Sequence, residues 1–397
     1  MRATLDRAGF TCEFQTGGVV GFPVYRCCLR DAAGTPLAYA SGRGAGRQSM
    51  ASALYEVWQH HQHEVGQRGL AARPAGVRVF PIAEVIAQPA LRHEAMLHRF
   101  AGEHPNARVA CLELASVRDP ARKTWHPAFP RCPSLRRYPV PGDDPTDDSY
   151  ARYAFDNGTA CGVTEPDAVL HGLLEVVERD AVSLALLDWY AADPARARAV
   201  PPHSLPDDLR ALTARTTGYM GAPPLLLDVT SDLGVPAFAA LPSRTTRHVG
   251  LLGSGASLDA RYAAERALTG LVQCWFTAEL DVDATRRSRL AALEAWPVLH
   301  RCAVLDPTGL DAAAEPVEPD WSATSHGSVR NQIARLVDLL AAHDFHAWTF
   351  RWNPADAEHP VLTVVVPGLD SFAMVHNAVP VLPTGRAMHR LTRYTEP

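Results

Sequence analysis

Carboxylate, guanidinium and carboxamide side chains recur at matching positions in three separated segments of the chain. In each segment a Leu-rich run carries polar residues spaced so that they lie on one face of an α-helix. The side chains supplied in this way are Glu56, Gln59, Glu175, Glu178, Arg179, Arg266 and Gln273. Magnesium prefers carboxylate oxygens, and arginine binds phosphate oxygens in a bidentate manner. We therefore expect these helices to bind a magnesium–triphosphate group.

The central segment carries the densest part of this pattern. Glu178 lies three residues and Arg179 four residues after Glu175, so the three side chains share one helix face. Two carboxylates there could bind Mg²⁺, Glu56 from another helix could complete the site, and Arg179 with Arg266 could hold phosphate. Ordinary ion pairs on a solvated helix face have the same spacing. The recurrence in three helices favours the binding site.

Two of the three helices close a longer pattern of two strands and one helix. The first copy covers about residues 17–66 and the second about residues 225–277. In each copy an extended run turns, returns to a glycine loop and enters the helix. The intervals from Gly21 to Ser52 and from Gly234 to Arg266 are nearly equal. This agreement predicts an internally duplicated β-β-α unit.

Three further segments complete the single domain, residues 1–397, that we predict. A proline-rich excursion over about residues 120–150 indicates an ordered loop without strand or helix. The central glutamate helix belongs to residues 157–190, and a C-terminal α/β segment covers about residues 328–397. We predict an α/β (α+β) fold with mixed or antiparallel sheets, in which glutamate-bearing helices surround a nucleotide cavity.

Composition excludes several classes of function. The formal charge of −5 and the isoelectric point near 6.4 argue against nucleic acid as the main partner. The eight cysteines form no CxxC pair, which argues against a disulfide framework or a zinc site. The first residues lack the apolar region of a signal peptide, and no apolar run is long enough for a membrane span. We therefore predict a cytoplasmic protein without a membrane partner.

Other reactive side chains carry weaker signals. His60, His61 and His63 fall on different sides of a helix, and a polar helix end explains them better than a metal site. Cys161 lies beside a glycine turn with no organised His–Asp partner in the sequence, which indicates a small buried thiol rather than a nucleophile. The sequence therefore assigns no catalytic residue.

Four motifs of the chain resemble the YcaO family. The longest and most specific is NGTACGVTEPDAVLHGLLEVVERDA, residues 157–181. The glycine-loop helices of that family are similar to ASGRGAGRQSMASALYEVWQ, residues 40–59, and GSGASLDARYAAERALTGLVQ, residues 253–273. Its late strand is similar to VVVPGLD, residues 364–370. The resemblance covers nearly the whole chain, from about Gly17 to Asp370.

The resemblance implies an enzyme that uses ATP and Mg²⁺ without a Walker loop. Such enzymes phosphorylate the carbonyl oxygen of a backbone amide in a ribosomally synthesised precursor peptide. Attack by Cys, Ser or Thr then gives an azoline, whereas sulfide gives a thioamide and an amine gives a macroamidine. We expect azoline-forming cyclodehydration first and the other two products as alternatives. A catalytically silent peptide-binding scaffold or regulator is the alternative from a different class.

The resemblance also implies roles for individual residues. It assigns Mg²⁺ to Glu56, Glu175 and Glu178. The nucleotide-binding residues that it implies are Gln59, Asn157, Asp167, Arg179, Arg266 and Gln273, with Asp167 standing where a glutamate is usual. A separate leader-peptide-binding protein, or direct recognition by this chain, is expected to bind the precursor, and a homodimer is a further possibility.

The chain departs from the family pattern at several positions. Gln59 and Gly270 stand where glutamates are usual, and Arg43 replaces a common lysine. The last residues, HRLTRYTEP, lack the proline-rich tail of many azoline-forming members. These departures leave thioamide and amidine formation open, although the central motif keeps both glutamates and its arginine.

Overall fold

A computed structural model describes residues 1–72, 76–144, 148–192, 196–280, 284–310, 314–322 and 327–395. Helices pack on three mainly antiparallel sheets, which confirms the predicted α/β (α+β) class. None of the helices in these ranges has both the length and the apolar character of a membrane span.

The first sheet and its helix come from the N-terminal region. Strands β1, β2 and β3 pair in this order and run antiparallel. The elements are α1 (Arg2–Arg7), β1 (Thr11–Val19), β2 (Phe22–Arg30), β3 (Pro36–Gly42) and α2 (Arg47–Arg68). A Cβ atom on Gly42 would overlap the backbone of Ser49 and Ala53 in α2, so glycine allows the strand to lie directly against the helix. The predicted strands and helix of the first unit are confirmed.

The second sheet forms the centre of the N-terminal half and takes two strands from the C-terminal segment. Its strand order is β4-β5-β13-β14-β7, and β6 pairs with β5. Its strands are β4 (Val77–Pro81), β5 (Arg108–Ser116), β6 (Lys123–Pro127), β7 (Thr159–Cys161), β13 (Trp348–Arg351) and β14 (Val361–Val365). Short helices α3 (Ile82–Ile86) and α4 (Ala95–Glu103) connect β4 to β5. The C-terminal strands were predicted at these positions.

The predicted loop over residues 120–150 is wrong in two places. Strand β6 lies inside it, and helix α5 spans Asp148–Ala151. Thr124 and Trp125 have high β propensity, and Pro127 occupies the last position of the strand. The side-chain oxygen of Gln88 accepts a hydrogen bond from the backbone nitrogen of Trp125 at 2.8 Å. Residues 145–147 of the predicted loop lie outside the described residues.

Helix α6 (Glu165–Tyr190) crosses the middle of the molecule and packs on β14. The Thr164 hydroxyl accepts a hydrogen bond from the backbone nitrogen of Asp167, and the Asp167 carboxylate accepts one from the backbone nitrogen of Thr164 at 2.9 Å. This reciprocal capping box fixes the start of the helix, and Pro166 occupies its first turn as predicted.

The third sheet belongs to the second predicted unit. Its strand order is β11-β10-β9-β8-β12, and only the β8–β12 pair is parallel. The elements are β8 (Ala197–Ala199), α7 (Asp207–Met220), β9 (Pro224–Asp228), β10 (Ala237–Pro242), β11 (Gly253–Ala256), α8 (Ala260–Leu280) and β12 (Ala314–Pro316). The alanines of α8 are buried against β11, as their spacing predicted. Both units contain the predicted β-β-α order, but Gly253 and Gly255, predicted to form the loop of the second unit, lie in strand β11. The origin of the units by duplication stays a prediction.

The remaining helices enclose the C-terminal half. They are α9 (Ala284–Leu293), α10 (Pro297–Val304), α11 (Val329–Ala342) and α12 (Gly385–Thr395). Helix α12 lies against α6, where Arg390 forms an ion pair with Asp188 at 3.2 Å. Helix α11 and strands β13 and β14 confirm the elements predicted for the C-terminal segment.

Candidate nucleotide and metal site

A cavity of about 1620 Å³ lies between helices α2, α6 and α8 and the glycine-containing strands β3 and β11. Side chains predicted from distant parts of the chain meet there. Eight of the nine predicted site residues line the cavity: Glu56, Gln59, Asp167, Glu175, Glu178, Arg179, Arg266 and Gln273. The fold therefore brings together the carboxylates and guanidinium groups that the sequence placed on three separate helices.

Glu178 is a buried carboxylate of the cavity with a hydrogen-bond donor. Its side chain is 7% exposed, and its Oε1 accepts a hydrogen bond from the Ser254 hydroxyl at 2.5 Å. Burial by itself raises the pKa of Glu178, but Arg266, Arg43, Arg179 and the Ser254 hydroxyl together bring the pKa below its usual value. Glu178 is therefore ionised at neutral pH.

Glu175 and Glu56 have the opposite tendency. Burial raises the pKa of Glu175 to about 8, and the neighbouring Asp156, Glu178 and Glu56 add to the rise against the opposing charge of Arg179. Burial also raises the pKa of Glu56, with His60, Arg43 and Arg266 acting in the other direction. The nearest arginine nitrogen to Glu175, Nη2 of Arg179, is 3.8 Å from Oε1. At both carboxylates the effect of burial on the pKa outweighs that of the nearby positive charges.

The donor set and its charge fit a magnesium ion bound together with phosphate. In the described part of the chain, no three His, Cys, Asp or Glu side chains are close enough to hold a metal by themselves. Mg²⁺ typically takes one or two carboxylates and completes its octahedron with phosphate oxygens and water. Glu175 and Glu56 offer carboxylates whose negative charge a bound Mg²⁺ would stabilise. Buried Nε of Arg179 has no hydrogen-bond partner among the described residues, and it fits a phosphate oxygen.

Two further arginines of the cavity, Arg43 and Arg266, act on Glu178. Nη2 of Arg43 donates to the carbonyl oxygen of Ser254 at 3.0 Å. Burial lowers the pKa of Arg266, but Glu178 and Tyr262 more than offset this and raise it overall. Arg43, Arg179 and Arg266 all stabilise the ionised carboxylate of Glu178 electrostatically. Guanidinium groups of this kind suit a polyphosphate.

The two glutamines of the predicted site contact protein groups. Nε2 of Gln273, on α8, donates to the carbonyl oxygen of Ser41 at the end of β3. Nε2 of Gln59 is 3.4 Å from Oδ2 of Asp156, a long hydrogen bond. Gln273 therefore ties the second predicted unit to the first, and Gln59 contacts an acidic residue that the sequence analysis did not assign.

Asp156 is the acidic residue that sequence reasoning missed. It lines the cavity, and although burial acts to raise its pKa, His63, His60 and Thr159 lower it to about 2. Its only sequence signal is its position directly before the Asn157–Gly158 turn, and an isolated aspartate beside a glycine is common in ordinary turns. Two neutral histidines, His171 and His376, also line the cavity, because burial lowers the pKa of each to about 4.

Two predicted nucleotide-binding residues have structural partners. Asn157 is buried behind the cavity, where its Nδ2 donates to the Ser371 hydroxyl at 2.8 Å, and it is not among the lining residues. Asp167 lines the cavity, but its carboxylate accepts the capping hydrogen bonds from Thr164. Cys161 is a buried thiol whose pKa burial raises to about 12, which agrees with its interpretation as a structural residue.

Sequence comparison identifies related proteins. A family profile described as YcaO cyclodehydratase, ATP- and Mg²⁺-binding, matches residues 20–370. An uncharacterised protein of Methanothermobacter thermautotrophicus is 26% identical over 371 residues, which are 89% of this chain and 88% of that protein. An uncharacterised protein of the tfuA 3′ region of Rhizobium leguminosarum bv. trifolii is 37% identical over 131 residues, which cover 31% of this chain and 30% of that protein.

Solved structures share the fold. YcaO from Methanopyrus kandleri, bound with AMPPCP and Mg²⁺, has a TM-score of 0.64 at 20% identity, covering 96% of this chain and 92% of that one. A heterocyclase in complex with substrate and cofactor has a TM-score of 0.64 at 19% identity, covering 97% of this chain and 57% of that one. The Escherichia coli microcin synthetase complex with pro-MccB17 bound has a TM-score of 0.54 at 12% identity, covering 90% of this chain and 87% of that one.

The family profile extends over most of the chain and includes the three helices that line the cavity. The profile names the two cofactors, ATP and Mg²⁺, that the motifs predicted. The chain therefore belongs to the YcaO family of ATP- and Mg²⁺-binding cyclodehydratases.

Proposed function

We propose that this protein uses ATP and Mg²⁺ to activate a backbone amide of a ribosomally synthesised precursor peptide and converts Cys, Ser or Thr residues to azolines. The observation that carries the proposal is the convergence of Glu56, Glu175 and Glu178 with Arg43, Arg179 and Arg266 on one cavity. Such a charged set fits a magnesium–triphosphate group better than it fits an uncharged ligand.

The proposed reaction removes the amide oxygen as phosphate. The Cys, Ser or Thr side chain adds to the carbonyl carbon and loses its proton, and the carbonyl oxygen takes the γ-phosphoryl group of ATP, leaving ADP. Cleavage of the C–O bond then releases phosphate, and loss of the amide N–H proton forms the C=N bond of the azoline. An amide oxygen leaves poorly, whereas phosphate leaves well, which explains the need for ATP.

The side chains of the cavity divide this work between them. Glu56, Glu175 and Glu178 would hold Mg²⁺, which supplies charge neutralisation across the phosphate oxygens. Arg179 and Arg266 would hold phosphate oxygens, and the unpartnered Nε of Arg179 supports this role. The hydrogen bond from Gln273 to Ser41 joins α8, which carries Arg266, to the end of β3, which Arg43 follows.

The size of the cavity supports a second ligand beside the nucleotide. Its volume of about 1620 Å³ exceeds the roughly 300–1000 Å³ of sites for a single small molecule. Similar structures were solved with a substrate or a pro-peptide bound. We therefore propose that a segment of precursor peptide enters the same cavity and that a separate leader-peptide-binding protein assists its recognition.

Peptide-dependent ATP consumption tests the proposal. The full chain is incubated with ATP, Mg²⁺ and candidate Cys/Ser/Thr-rich peptides encoded beside its gene, and ADP and peptide mass are measured. We expect ADP release with loss of one water per ring, and Glu175→Gln and Glu178→Gln should abolish both. Glu165→Gln, at the exposed start of the same helix, serves as the matched control. Undiminished turnover in the Glu175 or Glu178 variant would refute the assignment.

The same experiment separates the alternatives. Among the described residues, those that line the cavity end at Asn377, and thioamide or macroamidine formation stays open as an alternative. Peptide mass distinguishes the three products. A silent scaffold, the alternative that Gln59 and Gly270 motivate, should show no Mg²⁺-dependent nucleotide binding by calorimetry.

A further inference from the structure

The side chain of Arg43 connects the two halves of the cavity. Arg43 follows β3 in the first glycine loop, lines the cavity and donates from Nη2 to the carbonyl oxygen of Ser254 in β11 at 3.0 Å. The hydroxyl of Ser254 in turn donates to Oε1 of Glu178 at 2.5 Å. A chain of two hydrogen bonds thus runs from the first β-β-α unit, through the second, to a carboxylate of the central helix.

Gly270 leaves the space that the Arg43 guanidinium occupies. A Cβ atom built on Gly270 would overlap Nη1 of Arg43 and would lie 3.0 Å from its Cζ and 3.2 Å from Cα of Gly253. No side chain is compatible with this position of Arg43. The overlapping atom is the end of a flexible side chain, so a methyl group at residue 270 would displace the guanidinium rather than unfold the helix.

The guanidinium also lies within the charge cluster of the site. Glu178, Glu56 and Arg266 all act electrostatically on Arg43, and burial lowers its pKa. Displacing Arg43 would remove the donor to Ser254 and a positive charge next to Glu178. The separation of Arg43 from Gly270 by more than half of the chain hides this dependence from any local reading of the sequence.

We propose that Arg43 and Gly270 form a matched pair, in which the glycine makes room for Arg43, and that Arg43 is a positioning residue that orients Glu178 through Ser254. This inference rests on the proposed binding of Mg²⁺ and nucleotide at Glu178. It accounts for two departures from the family pattern by one contact, since the arginine fills the space that a larger residue at position 270 would need.

A double-mutant cycle tests the pair. The variants are Gly270→Ala, Arg43→Lys and the double substitution, with Gly218→Ala as the control, because Gly218 is also helical and a methyl group added there would meet no atom within 4 Å. The measurement is the Mg²⁺ concentration that gives half-maximal ATP binding in calorimetry. We expect Gly270→Ala to raise it about tenfold, as for the loss of one charge-assisted hydrogen bond. In the Arg43→Lys background the same substitution should change it less than about twofold, because lysine lacks the overlapping Nη1.

Two results would overturn the inference. In the first, Gly270→Ala binds Mg²⁺ and ATP as the parent protein does. In the second, Gly270→Ala raises the half-maximal Mg²⁺ concentration by the same factor in both backgrounds. Thermal unfolding without nucleotide supplies a second cycle. If the parent protein binds no nucleotide, the proposed function and the role of Arg43 at Glu178 both fail. Non-additive unfolding midpoints would then still support the pairing of the two residues, and additive midpoints would exclude it.

Discussion

The Ser254 hydroxyl donates a 2.5 Å hydrogen bond to Glu178, joining strand β11 of the third sheet to the central helix. Glu178 accepts this hydrogen bond, and three arginines stabilise its negative charge. Glu175 lies one turn earlier on the same helix, and its Oε1 is 3.8 Å from Nη2 of Arg179. The two glutamates therefore have pKa values shifted in opposite directions. Their different environments lead to different predictions.

Removing the charge of Glu178 should destabilise the nucleotide-free protein. Glu178→Gln removes the ionised acceptor of the Ser254 hydroxyl and the negative charge that acts on Arg43, Arg179 and Arg266, and loss of a hydrogen bond to a charged group costs roughly 2 kcal/mol. Chemical denaturation measures the free energy of unfolding, and sulfate should restore part of it by binding the arginines. Glu165→Gln, on the exposed part of α6, should change it by less than about 1 kcal/mol. Equal stability of the two variants would contradict the prediction.

Binding of Mg²⁺ and nucleotide should release a proton from Glu175. Its pKa of about 8 means that the carboxyl group is largely protonated at pH 7, and a metal ligand must be ionised. Apparent affinity should therefore rise with pH up to about 8, and proton release should fall from about one at pH 7 towards zero at pH 9. Calorimetry in buffers of different ionisation enthalpy measures this number. Glu175→Gln should release about one proton fewer at pH 7, and an unchanged number would exclude Glu175 as the source.

Asp167 should contribute more to the stability of helix α6 than to nucleotide affinity. Asp167→Ala removes the carboxylate that accepts from Thr164, and loss of such a cap costs about 1 kcal/mol of stability. Thr164→Ala should cost a similar amount, and the double variant little more, since one capping box is lost in each case. Nucleotide affinity is measured in parallel. A large loss of affinity in Asp167→Ala with normal stability would instead assign its carboxylate to the nucleotide.

The buried His126 should make the protein sensitive to acid. Burial and Arg131 lower its pKa to about 3, and Nε2 has no hydrogen-bond partner in the described residues, so protonation would bury an unpaired charge. A folded pKa below the unfolded value gives stability that is present above about pH 6.5 and is lost as pH falls, at about 1.4 kcal/mol per pH unit. His126→Asn should reduce the pH dependence of the free energy of unfolding between pH 6 and 4 by about 1.4 kcal/mol per pH unit, which corresponds to one proton. His203→Asn, at an exposed position, should leave it unchanged.

Local sequence signals predicted most of the elements that form the site. Thr164, Pro166 and Asp167 indicated the start of α6, because capping chemistry involves residues within one turn of each other. The glycine loops and the alanine face of α8 indicated close contact between strand and helix, and Gly42 shows the same contact on α2. Strand β6 was missed because prolines dominated the composition of its segment, although its partner β5 ends at Ser116, close by in the sequence.

The sequence by itself determined which helices carry the carboxylates and arginines and on which face, because helical spacing follows directly from residue order. The tertiary structure alone decided that these faces share one cavity, that Asp156 joins them, and that Arg43 fills the space beside Gly270. It also decided the different charge states of Glu175 and Glu178. Electrostatic energies and steric overlap depend on distances between atoms of different elements, and those distances exist only once the sheets and helices have packed.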